Sequence, residues 1–144
     1  ASDRPISDLE FTDKQGRPLT VRTFESGDDQ SYIRAYDTSQ VQVPEKLDTG
    51  QAGYANVHLE QTDNGETRAR LQDIQVPENY RGAGVGGGML TQVEEYARAN
   101  GADEIYGAIT DQGAYDFWAS QADRGWVIKP TEGHCYGEVH YRLV

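Results

Sequence analysis

Alternation of apolar and polar residues dominates the first half of the chain. Leu9-Glu10-Phe11-Thr12 and Leu19-Thr20-Val21-Arg22 each place an apolar residue at every second position, and the polar segment Asp13-Lys14-Gln15-Gly16-Arg17-Pro18 separates them. Successive side chains of a strand point to opposite faces, so this pattern predicts an N-terminal hairpin. Ser26-Gly27-Asp28-Asp29 breaks the pattern. Tyr32, Ile33 and Tyr36 then fit either a short helix capped by Asp28 or Asp29, or another strand. Val41-Gln42-Val43 stops at Pro44. Alternation resumes from Tyr54 to Glu60. Asn64-Gly65 supplies a tight turn, because both residues tolerate positive φ. Thr67 to Val76 runs back as the partner strand.

The period changes after Val76-Pro77. A glycine-rich run from Arg81 to Gly88 leads into a segment where Val85, Met89, Leu90, Val93, Tyr96 and Ala97 share one helical face. Asn100-Gly101 stops that helix. Ile105 to Ile109 reads as a short strand, and Ala114 to Gln121 as a second helix with aromatic residues on its buried side. Trp126-Val127-Ile128 and Val139 to Val144 read as closing strands. This order predicts a mixed sheet with flanking helices, an α/β (α+β) fold. No repeat or linker divides the chain, so residues 1–144 are expected to form a single domain. Hydrophobic residues are only 36% of the chain, a lean core but enough for one compact unit of this size.

The chemistry concentrates between Leu71 and Gly88. A strand ends at Val76, a loop carries Gly82, Gly84, Gly86, Gly87 and Gly88, and an amphipathic helix starts inside it. Glycine permits positive φ and lets a ligand approach the backbone. The first N–H groups of a helix lack intrahelical partners, and with the helix dipole they form a seat for phosphate or pyrophosphate. Arg81 can add a bidentate contact to the same anion. A plain hinge or a tight helix–sheet contact would also use such glycines. A P-loop is excluded, since Met89 stands where Lys is required. Gly82, Gly84 and Gly87 spell G-x-G-x-x-G, with Asp111 available as a ribose-binding acid. But Pro77 to Arg81 separates that run from its strand, and too little chain follows for a dinucleotide fold.

Charge narrows the partners. Thirteen basic against 24 acidic residues give a net charge of -11, which disfavours nucleic acid. The acidity serves solubility, including in salt, or attracts a cationic acceptor. No apolar run is long enough to span a membrane, and no leader pattern opens the chain. Cys135 is the only cysteine, so neither a disulfide framework nor a cysteine metal cluster is expected, and no metal site is read. A reducing, cytoplasmic setting is the default expectation.

The run Val76-Pro77-Glu78-Asn79-Tyr80-Arg81-Gly82-Ala83-Gly84-Val85-Gly86 resembles the acyl-CoA signature of the GCN5-related N-acetyltransferase (GNAT) superfamily. That signature reads Gln/Arg-x-x-Gly-x-Gly/Ala and is matched by Arg81, Gly84 and Gly86. The resemblance is clear from about Arg68 to Trp126 and fades before Tyr54. It implies a single GNAT-like domain with a mainly antiparallel mixed sheet. The helices such proteins place early in the chain would be reduced or absent, since Glu25 to Gly53 holds at most one short helix. It implies acetyl-CoA as cosubstrate, with Ile74, Gln75 and Val76 on a splayed strand against the pantetheine arm. Arg81, Gly82, Ala83, Gly84, Val85, Gly86 and Gly87 would hold the pyrophosphate, and Phe117 and Trp118 would also contact the cofactor.

The family's second-helix pattern Asn-x-x-Ala-x-x-Phe-Tyr is matched by Ala114 and Phe117, with Gly125 further on. Asp111 stands for the Asn, and Trp118 for the Tyr that often protonates the departing thiolate. An indole N–H delivers no useful proton. Tyr115, on the same helical face as Trp118, is the candidate acid, with His134, Cys135 and Tyr136 as alternatives. Asp73 is the candidate base, and Arg70 stands where some members carry a catalytic Glu. The implied reaction is direct attack of a primary amine on acetyl-CoA, the acceptor being a small amine or a lysine-bearing chain. The acceptor side is open, or is completed by an unusual loop or by another chain, as in a homodimer. Two other readings stay open. One is a catalytically inactive acyl-CoA-binding module, motivated by Trp118 and Arg70. The other is a toxin- or antitoxin-like domain from a larger protein, since residue 1 is Ala, which a cleaved tag explains equally.

Overall fold

A computed structural model describes residues 3–27 and 29–143, apart from the side chains of His134 and Cys135. Its strands are β1 (Arg4–Thr12), β2 (Pro18–Ser26), β3 (Gln30–Asp37), β4 (Gly53–Gln61), β5 (Thr67–Gln75), β6 (Glu104–Ala108), β7 (Val127–Thr131) and β8 (His134–Arg142). Helix α1 (Val85–Ala99) follows β5, and α2 (Gln112–Ala119) follows β6. The strands form one sheet in the order β1-β2-β3-β4-β5-β6-β8-β7. Among the described residues only the β5–β6 pairing is parallel. This is the mixed sheet with flanking helices that the pattern predicts, and it is mainly antiparallel, as the resemblance implies.

Both expected hairpins form. Tyr32, Ile33 and Tyr36 settle as strand β3, between β2 and β4, and make no helix. Asp28, one of the two caps weighed for a helix, lies outside the described residues. The ambiguity has a physical cause. Ile33 and Ala35 enter the core on one face while Tyr36 is fully buried on the other, so two-sided burial erases the alternation.

Residues 38–52 contain neither helix nor strand. They form a strap tied to the sheet by side chains that lie under it. Arg34 Nε donates to the Asp48 carbonyl at 2.7 Å, and Arg22 Nη1 to the Pro44 carbonyl at 2.9 Å. The Tyr36 hydroxyl donates to the Asp48 carboxylate. Burial pushes the Tyr36 pKa up, helped by that bond. These fixed polar links hold the strap where the resemblance would place helices.

On the opposite face, α1 buries Met89, Leu90, Val93 and Ala97 against Val21, Ile33, Val57 and Ile105. Glu94 of α1 accepts from Arg124 at 3.0 Å and from the Trp126 indole at 3.2 Å, tying α1 to the segment after α2. Trp118 of α2 is buried between Phe117 and Trp126, with ring centroids 5.0 and 4.9 Å away. No helix among the described residues is long and apolar enough to cross a membrane.

Candidate active site

Strand β5 has one residue more than β4 requires. Asn56 pairs with Asp73 and Val57 with Leu71, which leaves Gln72 as a bulge. A bulge bends its strand and ends regular pairing. On its other side β5 pairs with β6 only at Arg68, Ala69 and Arg70. Past the Arg70–Tyr106 pair the two parallel strands part. Gly107 stands at the fork, where a Cβ would lie 3.0 Å from the Leu71 carbonyl oxygen.

The fork opens into a cleft of about 440 Å³. One wall is Leu71 to Val76, and the other includes Ala108, Ala114, Phe117 and Trp118. Ile74 and Gln75 pair with β4 on one side only, so their outward backbone groups face the cleft without a strand partner. The cleft thus brings Ile74, Gln75, Val76, Arg81, Phe117 and Trp118 together.

At the mouth, the glycines divide by role. Gly82 has φ +72 and Gly84 φ +99, and a Cβ at either would meet nothing within 4 Å, so backbone conformation alone demands glycine there. At Gly86 a Cβ would fall 2.6 Å from Phe117, and at Gly88 2.5 Å from Phe11. Those two glycines let rings pack onto α1. Ala83 is buried, and its carbonyl accepts from Lys14 N–H at 2.9 Å. Gly84 is the N-cap of α1 and no side chain caps the helix. The N–H groups of Val85, Gly86 and Gly87 precede the first intrahelical bond, from Gly88 N–H to the Gly84 carbonyl at 3.1 Å. Arg81 Nε is anchored to the Val76 carbonyl at 2.8 Å, which leaves its terminal nitrogens for an anion at this mouth.

Asp73 lines the cleft and accepts from the Tyr54 hydroxyl at 2.9 Å and from Gln75 Nε2 at 3.2 Å. That bond to the carboxylate is the main cause pushing the Tyr54 pKa up, with burial second. Tyr54 was not singled out from the sequence, although its place in an alternating strand opposite Gln75 marks it as sharing the face of Asp73. Tyr115 is half-buried against the core and does not line the cleft, because the face of α2 turned that way carries Ala114, Phe117 and Trp118. Asp111 is the N-cap of α2, accepting from Ala114 N–H at 2.8 Å, so its carboxylate is already engaged. Tyr136 is likewise packed half-buried against the core. The side chains of His134 and Cys135, the other acid candidates, lie outside the described residues.

The family model of the acetyltransferase (GNAT) family matches residues 9–126. The chain belongs to this family. The match takes in both N-terminal hairpins, well before the segment where the motifs alone carry the likeness. No curated protein is significantly similar to the chain. Among solved structures, the GNAT domain of S. lividans PAT shares 11% identity over 94% of this chain and 97% of its own, with a TM-score of 0.67. PaiA N-acetyltransferase from Thermoplasma acidophilum, solved in complex with coenzyme A, shares 17% over 79% of this chain and 61% of its own, with a TM-score of 0.56. A GCN5-related glucosamine N-acetyltransferase region of a fungal multi-domain GH3 β-N-acetylglucosaminidase shares 21% over 72% of this chain, with a TM-score of 0.58. The chain spans 12% of that fungal protein. At these identities the likeness is one of fold.

Proposed function

We propose that the protein is an acetyl-CoA-dependent N-acetyltransferase that moves the acetyl group to a primary amine by direct attack. The observation that carries this reading is a convergence. The unpaired edge of β5 and Arg81 line one cleft, the uncapped start of α1 lies beside it with Gly86 against the Phe117 ring of the cleft wall, and family membership gives that convergence its chemistry. Extended backbone with free amide groups suits the amide-bearing pantetheine arm. The N–H groups of Val85 to Gly87 and the Arg81 guanidinium suit the pyrophosphate.

The amine nitrogen bonds to the carbonyl carbon, the carbon–sulfur bond breaks, and coenzyme A leaves as thiolate. Backbone N–H groups at the fork polarise the carbonyl oxygen. Asp73 takes the proton the amine must lose, directly or through one water, with Tyr54 and Gln75 holding its carboxylate in place. Among the described residues the titratable side chains lining the cleft are Asp73, Arg81 and Asp111, and the thiolate takes its proton from solvent in this reading. Trp118 packs and does not donate.

A second reading, an acyl-CoA-binding module without turnover, is favoured by Trp118 and Arg70 at positions where relatives carry catalytic groups. Release of coenzyme A from acetyl-CoA over a panel of amines separates the two. Amine-dependent release supports transfer, and tight binding without release supports the module.

A further inference from the structure

The bulge in β5 has a consequence for the acceptor. Arg70 and Asp73 are three residues apart, a spacing that puts side chains on opposite faces of a regular strand. The extra residue Gln72 cancels that. Arg70 pairs with His58 and Asp73 with Asn56, two residues apart on β4, so both side chains project from the same face of the sheet. It is the face opposite α1. Arg70 and Asp73 thus leave one face of β5 from positions about 7 Å apart along the strand, Asp73 in the cleft wall and Arg70 just before it.

The two groups differ in what they lack. Asp73 is oriented by Tyr54 and Gln75 and keeps acceptor capacity for an ammonium. Arg70 is half-exposed, and its nearest ionic partner, Glu60, is 4.0 Å away, beyond hydrogen-bond range. Glu60 is already engaged by Arg68 at 3.1 Å and by the Tyr106 hydroxyl. Among the described residues Arg70 donates no hydrogen bond and has one long ion pair, to Glu60, so its planar fork of donors can turn to a ligand at the last paired position before the cleft. A cation there cannot deprotonate an amine, but it can seat a carboxylate in two parallel bonds.

Building on the transferase reading, we propose that the acceptor is a zwitterion of the α-amino-acid type, its amine against Asp73 and its carboxylate on Arg70. In such a molecule the two charged groups are two bonds apart, and one hydrogen bond of about 3 Å at each end gives a comparable span. A zwitterion carries no net charge, so the acidic surface does not repel it.

The test uses the full chain, acetyl-CoA, and amino acids paired with their decarboxylated amines: phenylalanine with phenethylamine, leucine with isoamylamine, lysine with cadaverine. Release of coenzyme A gives kcat/KM. Wild type is expected to prefer each amino acid by roughly tenfold or more, the worth of a charged hydrogen-bonded contact. Arg70→Met brings each ratio to about one through KM, and Arg70→Lys gives an intermediate ratio. Calorimetric binding of acetyl-CoA confirms that the variants are folded, and the wild-type ratios decide the matter even if one is not. Equal or better use of the decarboxylated amines by wild type overturns the assignment. So does an equal loss for both members of a pair in Arg70→Met. Turnover confined to polyamines, aminosugars or lysine peptides overturns it while leaving the transferase reading intact. No release with any amine overturns both.

Discussion

Gly84 separates the strain of the loop from its electrostatics. With φ at +99, any L-residue there is strained by roughly 1–2 kcal/mol. A Cβ at this position meets nothing within 4 Å, so sterics add little. Gly84→Ala should therefore lower unfolding free energy by about that amount and leave affinity for coenzyme A nearly unchanged. Gly84→Asp suffers the same strain and also sets a carboxylate at the uncapped N-terminus of α1. There it competes for the N–H groups of Val85 to Gly87 and repels the pyrophosphate. Two unit charges ~6 Å apart at an effective dielectric near ~20 repel by roughly 3 kcal/mol. Screening and side-chain rotation leave about 2 kcal/mol, near a thirty-fold loss of affinity. Urea titration reads the first effect and calorimetry with coenzyme A the second. Equal affinities for the two variants would refute the anion seat, because they differ mainly in the charge placed there.

Other expectations follow from single contacts. Asp73→Asn should lower kcat/KM about 100-fold without changing acetyl-CoA affinity, as loss of a general base does, and an unchanged rate removes Asp73 from that role. Trp118→Phe should cost roughly 1–2 kcal/mol of stability from lost ring packing yet keep kcat within a few-fold. A large fall in kcat with binding intact would show that the indole takes part in the chemistry. Tyr115→Phe should turn over at the wild-type rate, and a tenfold slower enzyme would return Tyr115 to the site. Asp37 supplies a pH dependence. The Ser39 hydroxyl, donating at 2.6 Å, is the main cause holding its pKa below the ordinary 3.8, assisted against burial by the Tyr80 hydroxyl. A lowered folded pKa stabilises above the ordinary value and is lost as pH falls through the folded one. Urea midpoints should therefore drop below about pH 4, and less steeply in Asp37→Asn.

What was legible in the sequence followed the strength of local signals. The hairpin around Asn64-Gly65 and the glycine loop before α1 each combine a turn or cap with a clear period, and both stand where the pattern put them. β3 was ambiguous because Tyr36 is buried under the strap while Ile33 is buried under α1. The strap itself has no period. It is held by long-range bonds from Arg22, Arg34 and Tyr36, which no window of sequence reveals. Sharing a helical face with Trp118 leaves open which flank of that face looks into the cleft, so the half-buried position of Tyr115 was not legible in the sequence. The bulge at Gln72 decides which side chains accompany Asp73. It leaves no mark in the sequence, being a product of how β5 meets both of its neighbours.

Backbone amide shifts on adding coenzyme A to isotopically labelled protein test the central claim most directly. The account predicts saturable changes at the amides of residues 74–76 and 82–87, with smaller ones along α2 facing the cleft. Shifts confined to other parts of the sheet, or none at saturating ligand, would contradict it.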